Sequence, residues 1–292
     1  FATYGFTDTP WALKAGQYKD HVYQEETVSS KRQLAAERSV MNELLMGGCF
    51  DRVQGVAVLY GDLETPLHAE GSFHDGAASF NTPFYDTETD SSANAHFGMT
   101  GRLDWKVMGG WKDYRDFSAR DTKEDLLVLG AGTDWTQGDF FNDVDLVESG
   151  DRFFSALDAQ WELAGPKVGM YAALTSDYTR FNDGSADDRL NWGALVQAGW
   201  AVSRQWELFA RYDLVKLDDA FLTARSEDLV QEITTGVSYY LGRDGSAGPR
   251  AKVTVDVGYL PDGSPVAIPN IGIPAASEND VVYLRAQLQL VI

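Results

Sequence analysis

Polar and apolar residues alternate along much of the chain with a period of two. The clearest run is His96 to Val107, where Phe97, Met99, Leu103, Trp105 and Val107 fall on one side and His96, Thr100, Arg102, Asp104 and Lys106 on the other. A helix would mix these two sets, whereas an extended strand turns successive side chains to opposite faces. The same design recurs. Trp192, Ala194, Val196, Ala198, Trp200 and Val202 oppose Asn191, Gln197 and Gly199; Trp206, Leu208, Ala210, Tyr212 and Leu214 oppose Glu207, Arg211 and Asp213. Val253, Val255, Val257 and Tyr259 oppose Lys252, Thr254, Asp256 and Gly258, and the chain closes on VVYLRAQLQLVI with Leu and Ala alternating against Arg285, Gln287 and Gln289. The apolar side is repeatedly ended by Trp or Tyr. Such rings suit the interfacial girdles of a lipid-facing band better than the inside of a soluble sandwich.

The links between these runs come in two kinds. Ala164-Gly165-Pro166, Ser203-Arg204 and Asp62 to Pro66 are short. Gly76–Ala93, Gln137–Asp151, Asp177–Arg189, Leu217–Glu227 and Pro261–Asp280 are longer and rich in Asp, Asn and Gly. Short turns at one end and long loops at the other are the asymmetry of an outer-membrane barrel. Met108–Glu124 and Gly242–Pro249 are longer than the short side requires. The largest interruption, residues 21–51, lies between a strand ending near Lys19 and another from Arg52 to Tyr60. It carries a helical pattern and a dense charge set, Lys31, Arg32 and Arg38 among Glu25, Glu26 and Glu37.

Composition narrows the function classes. A net charge of −20 and a pI near 4.4 argue against nucleic acid as a partner, because a basic patch would be needed to neutralise its phosphates. No run approaches the roughly 18 apolar residues of a membrane helix. The mean hydropathy of −0.28 is what a barrel shows when half of each strand faces water. Eight Trp, thirteen Tyr and fifteen Phe supply the girdles. The single Cys49 rules out an internal disulfide and is read as a half-buried small side chain. His21, His68, His74 and His96 have no metal-type spacing, and FNDGSADD from residue 181 reads as a solvated loop tip rather than a Ca²⁺ loop. No nucleophile elbow, phosphate loop or zinc-protease motif occurs, so no enzyme, cofactor or metal site is expected.

The segment GQYKDHVYQEETVSSKRQLAAERS, from Gly16 to Ser39, resembles the signature of the phosphate-selective porin O and P family: a Gly-Gln-aromatic-Lys strand end, a Glu-Glu pair, a Ser-Ser pair, then Glu-Arg-Ser. The resemblance implies a passive diffusion channel for small hydrophilic solutes or ions, anions such as phosphate among them, with the third loop folded into the pore. It also implies a homotrimer surrounded by lipid and lipopolysaccharide in a bacterial outer membrane. Lys31, Arg32, Glu37 and Arg38 are then the expected pore constriction. A few fixed charges in a narrow passage set ion preference. The alternative is that these cations pair with Glu25, Glu26 and Glu37 and merely hold the loop in shape.

The expected fold is therefore all-β: one domain, residues 1–292, forming a transmembrane antiparallel β-barrel of about 16 strands when complete, of which about 12–13 lie in this chain. FATY reads as the tail of a strand, so that further N-terminal strands are expected before Phe1. Lys14, Lys19, Arg52, Arg102, Asp104, Lys106, Arg211, Lys252 and Arg285, with Arg250, are expected to line the lumen. Their strand-phase neighbours Asp134, Asp158, Glu162, Glu207, Asp213 and Asp256 offset that charge. The rival reading is a plugged, structural outer-membrane barrel that anchors an envelope assembly.

Overall fold

The computed structural model describes residues 1–46, 52–77, 94–141, 147–182, 187–218, 228–265, 267–268, 271–273, 275–277 and 279–291. Cys49, the end of the 21–51 insertion and the middle four residues of the FNDGSADD tip lie outside them. Among the described residues, thirteen antiparallel strands form one sheet in which each pairs only with its neighbours in sequence. They are β1 (Ala2–Gly5), β2 (Trp11–Tyr18), β3 (Val53–Tyr60), β4 (Leu67–His74), β5 (Asn94–Met108), β6 (Leu126–Phe141) and β7 (Val147–Leu163). Then follow β8 (Val168–Phe181), β9 (Arg189–Ala201), β10 (Trp206–Lys216), β11 (Leu229–Tyr240), β12 (Ala251–Leu260) and β13 (Val281–Leu290). Among the described residues β1 and β13 do not pair with each other.

The sheet is inside-out relative to a soluble protein. Leu103, Trp105, Leu157, Leu174, Val196, Trp200, Trp206 and Leu288 stand exposed, while Arg102, Asp134, Glu162, Arg211, Asp213, Glu232, Lys252 and Asp256 are buried. Water tolerates no contiguous apolar surface of that size on a monomer, but hydrocarbon requires it. This is the face pattern of a transmembrane antiparallel β-sheet, and the alternation in the sequence located its strands.

Two sequence expectations change. Residues 21–51 were expected to fold with a helical pattern; the described part holds only one α-helical turn (Gln24–Thr27), a 3₁₀ turn (Ser30–Arg32) and a π-helical turn (Asn42–Met46). The wall supplies its backbone with partners, so no long helix is needed to satisfy them. The Gln137–Asp151 loop is mostly strand. β6 and β7 stay in register from Leu126↔Glu162 out to Phe141↔Val147, which shortens the link to residues 142–146.

The two over-long links at the short side have a structural reason. Residues 109–125 turn inward across that end of the sheet. Trp111 donates Nε1–H to the Thr65 carbonyl at 2.8 Å and stacks on His68 at 3.8 Å, and Phe117 packs on Tyr171 at 4.7 Å. Arg120, buried, then donates to the carbonyls of Arg204 (3.0 Å) and Gly245 (2.8 Å) and lies over the Tyr240 ring. The segment floors that end by joining its own link to the β9–β10 and β11–β12 turns.

Candidate functional site

The concave face is occupied by the inserted segment, which runs from the end of β2 across the inner wall to β13. Its apolar residues Val22, Tyr23, Val28, Leu34, Val40, Met41 and Leu45 are buried against Phe154, Tyr171, Leu195, Phe209, Val215 and Tyr283, which occupy the inward phase of β7–β10 and β13. Burying each larger aliphatic side chain is worth on the order of 1.5–3 kcal/mol, enough in sum to hold the segment on the wall rather than in solvent. Gly132 on β6 permits the closest approach, since a Cβ there would collide with the Val22 carbonyl oxygen.

Polar side chains of the wall fix the segment's backbone. Arg102 on β5 donates to the Val22 carbonyl at 2.7 Å while forking onto Asp158 of β7 at 2.9 and 3.0 Å and bonding Asp104 at 2.9 Å. The Arg102 Nη2–H and the Asp104 carboxylate also meet the Tyr114 hydroxyl of the 109–125 link. Arg211 on β10 donates to the carbonyls of Glu37 (3.0 Å) and Arg38 (3.1 Å) and pairs with Glu232 at 3.2 Å. Lys252 on β12 caps the Gln33 carbonyl at 2.6 Å; Gln287 and Gln289 on β13 bond the carbonyls of Ala36 and Lys31. In return the amides of Gln24, Ala36, Val40 and Met41 donate to Asp158, Asp256, Glu232 and Asp213. Arg285 pairs with Asp256 at 2.6 Å.

Inside the segment, Glu25 is an internal anchor. Its carboxylate accepts from Ser39 N–H (2.9 Å), Ser39 Oγ–H (2.8 Å) and Tyr23 O–H (3.2 Å). Burial raises the Tyr23 hydroxyl well above its usual range, so it stays a donor. Arg38 donates to the carbonyls of Glu25, Glu26 and Val28 at 3.1–3.2 Å and sits 3.4 Å from the Glu26 carboxylate. Burial raises the Glu37 carboxyl, against the opposing pull of Arg285 and Arg38.

The expected lumen-facing charges therefore divide. Arg102, Asp104, Arg211, Lys252 and Arg285 do face inward, but each is engaged with the segment or with a neighbouring group of opposite charge. Lys106 sits at the floor end, donating to the Leu63 carbonyl and lying 5.3 Å from the Trp111 ring. Arg250 lies exposed at the foot of β12. Of the four expected constriction residues, Arg38 braces the segment, Glu37 is half-buried, and Lys31 and Arg32 border open space. Arg32 gives one N–H to the Arg115 carbonyl; the Lys31 ammonium makes no hydrogen bond or ion pair among the described residues.

Two clefts flank the start of the segment. One, of about 490 Å³, is lined by His21, Lys31, Arg32, His68, Trp111 and Arg115 among others. The second, of about 620 Å³, is lined by Lys14, Lys19, His21, Arg38, Arg52 and Glu70 among others. Lys14 is paired with Glu70 and Lys19 donates to the Glu26 carbonyl at 2.7 Å.

Sequence reasoning missed the acids that receive the segment, Asp158, Asp213 and Glu232, as a docking set, and missed Tyr171 and Phe209. The available signal was apolar residues in both phases of β8–β10, as in YAAL and ALV, which marks a wall apolar on both faces. It also missed a buried triad. Asp20, just past β2, His74 at the end of β4 and Asp134 in β6 bring their polar atoms together. Burial, then the charge of Asp134, pushes the Asp20 carboxyl up to about 7.

No protein-family model matches the chain, and no curated protein matches it. Solved structures do. The chain is similar to the anion-selective porin from Comamonas acidovorans (TM-score 0.61, 14% identity, 95% of this chain and 75% of that one). It is also similar to Pseudomonas putida OprB (TM-score 0.62, 9% identity, 97% and 70%) and to the outer-membrane OmpT of Vibrio cholerae (TM-score 0.53, 10% identity, 96% and 75%). At such identities the likeness shows the fold, a porin-like barrel, and leaves the O and P family as a resemblance in one segment. The Vibrio cholerae protein is described as outer-membrane expressed, and a porin-like fold with this apolar exterior fits that setting.

Proposed function

We propose that the protein is a passive outer-membrane channel for small hydrophilic solutes, with the inserted segment as its constriction and a preference for anions, phosphate among them, at that point. The observation that carries this reading is the pairing pattern. Although the chain is strongly acidic, the wall acids Asp158, Asp213, Glu232 and Asp256 are taken up by backbone amides and arginines, whereas Lys31 and Arg32 border open clefts. Unpaired cations in a narrow, low-dielectric passage act on a permeating ion; neutralised acids do not. The similar porin from Comamonas acidovorans is described as anion-selective, which agrees with this reading.

The chemistry is diffusion, with no cofactor turned over. The resemblance to the O and P porins adds a trimer, packed through apolar outer faces. A shallow outer depression of about 1250 Å³ crosses β4–β8 where Gly71, Gly101, Thr133, Ser155 and Ser176 lie in register, and it supports such contact.

A second reading, a structural barrel, is favoured by the extent to which the segment and the 109–125 link fill the concave side. Planar-bilayer conductance of the purified protein separates the two. Discrete conductance steps with a reversal potential displaced toward the anion limit (about 59 mV in a tenfold KCl gradient for ideal selectivity) are expected. A silent bilayer would establish the structural barrel instead.

A further inference from the structure

We propose that Asp20, His74 and Asp134 form a binding site for one divalent transition-metal ion of the zinc or manganese class, which fastens the root of the inserted segment to the wall. The three residues come from separate stretches of chain, and their ligand atoms all lie within 4.8 Å of one another. Closing onto an ion at ordinary Zn–O and Zn–N distances of roughly 2.0–2.2 Å takes only small side-chain movement. All three are buried, Asp20 with 1% of its surface exposed and His74 with none.

Two features separate this cluster from an ordinary acidic patch. Both carboxylate oxygens of Asp20 are buried, and neither has a hydrogen-bond partner at ordinary geometry, the nearby Thr100 hydroxyl being directed to Asp134 and His74. A carboxylate in that position costs free energy unless it is paired or coordinates a cation. The other charges around it make the deficit worse: Asp75 follows His74 directly, Glu70 lies on the same strand, and Glu70 is already held by Lys14 and His21. His74 is the cationic candidate facing Asp20, and it is already engaged with Asp134 at 3.1 Å.

The second feature is that the ring is held in place. His74 Nε2 sits 2.9 Å from the Thr100 hydroxyl, Gly76 N–H donates to Nδ1 at 3.1 Å, and Thr136 Oγ–H donates to Asp134 at 2.8 Å while accepting from Ala77 N–H. A Cβ at Gly98 would strike the His74 ring, so that position keeps the space clear. Ligation through Nε2 places the ring proton on Nδ1 and turns the Gly76 amide away, a change confined to the turn after β4. The donor set of one imidazole and two carboxylates, with the Thr100 hydroxyl adjacent, suits a borderline divalent ion better than Ca²⁺, which prefers six to eight oxygens.

The test uses the detergent-purified barrel, freed of metal with chelator and titrated with ZnCl₂ by calorimetry. One saturable equivalent per chain is expected, weakened at least ~100-fold in Asp20→Asn, since even outer-shell changes cost 10–100-fold. Removing a buried charge leaves Asp20→Asn able to fold. A Co²⁺ titration of the unaltered protein provides a readout that needs no variant, with visible absorption bands of mixed nitrogen and oxygen ligation. No saturable Zn²⁺ uptake, uptake unchanged in Asp20→Asn, or a Co²⁺ spectrum identical to that of the hydrated ion would each overturn the proposal. None of these readouts depends on whether the barrel conducts.

Discussion

The inner walls on either side of the inserted segment carry similar residues and present different surfaces. From β7 to β13 the wall is covered: Asp158, Asp213, Glu232, Asp256, Arg211 and Lys252 are spent on the segment's amides and carbonyls, above a layer of buried Phe, Tyr and Leu. From β2 to β4 the wall faces clefts bordered by Lys14, Lys19, Arg52 and, from the segment itself, Lys31 and Arg32. A charge on the lumenal phase of a strand is therefore not yet a charge that a solute meets. Whether it is depends on what lies over it, and here the covering runs from one side only.

Breaking the covered side should have the largest effect. Arg211→Met leaves Glu232 and Asp213 buried without their cation and releases two segment carbonyls, an expected loss of about 3–5 kcal/mol, read as a lower temperature for the loss of the folded band in unboiled electrophoresis. An unchanged transition would mean that the segment is held by its apolar contacts alone. Gly132→Val is the milder probe of the same contact. It should push Val22 off β6 and cost about 1–3 kcal/mol, with a noisier conductance as the segment loosens.

On the open side, Lys31→Glu with Arg32→Glu should leave stability within about 0.5 kcal/mol, as surface changes do, yet move the reversal potential toward cations. Arg38 is left out of this variant because it braces three segment carbonyls. The same reversal potential in the variant would remove the constriction assignment. The smallest effect expected is with pH. Burial pushes Asp116, which shares a cleft with Arg32, up to about 6. Above that value the carboxylate offsets Arg32; below it the group is neutral and the cleft more positive. Acidifying from about pH 7.5 to about pH 5 should thus increase anion preference modestly, and a shift of the opposite sign would dissociate Asp116 from the pathway.

Much of the architecture was legible from period-two alternation: β5, β9, β10, β12 and β13 stand where Leu, Val and Trp alternate with charged residues, and the apolar phase faces outward. That the chain interrupts itself between Tyr18 and Val53 was equally plain. The segment's internal structure was not, because a helical pattern over so few turns is marginal in water and wall side chains offered its backbone other partners. Nor was the length of β6 and β7, whose outer ends, QGDFF and VESGD, break the alternation with Gly and polar residues and read as loop.

What the sequence determined by itself is the sign of each strand face, since hydrocarbon and water sort side chains locally and every second residue answers to the same solvent. Only the tertiary structure decided which lumenal charges are spent and which stay available, and that Asp20, His74 and Asp134 meet. Those outcomes depend on residues distant in the chain coming within hydrogen-bonding reach, a matter of register and of the path of the segment that no local pattern encodes.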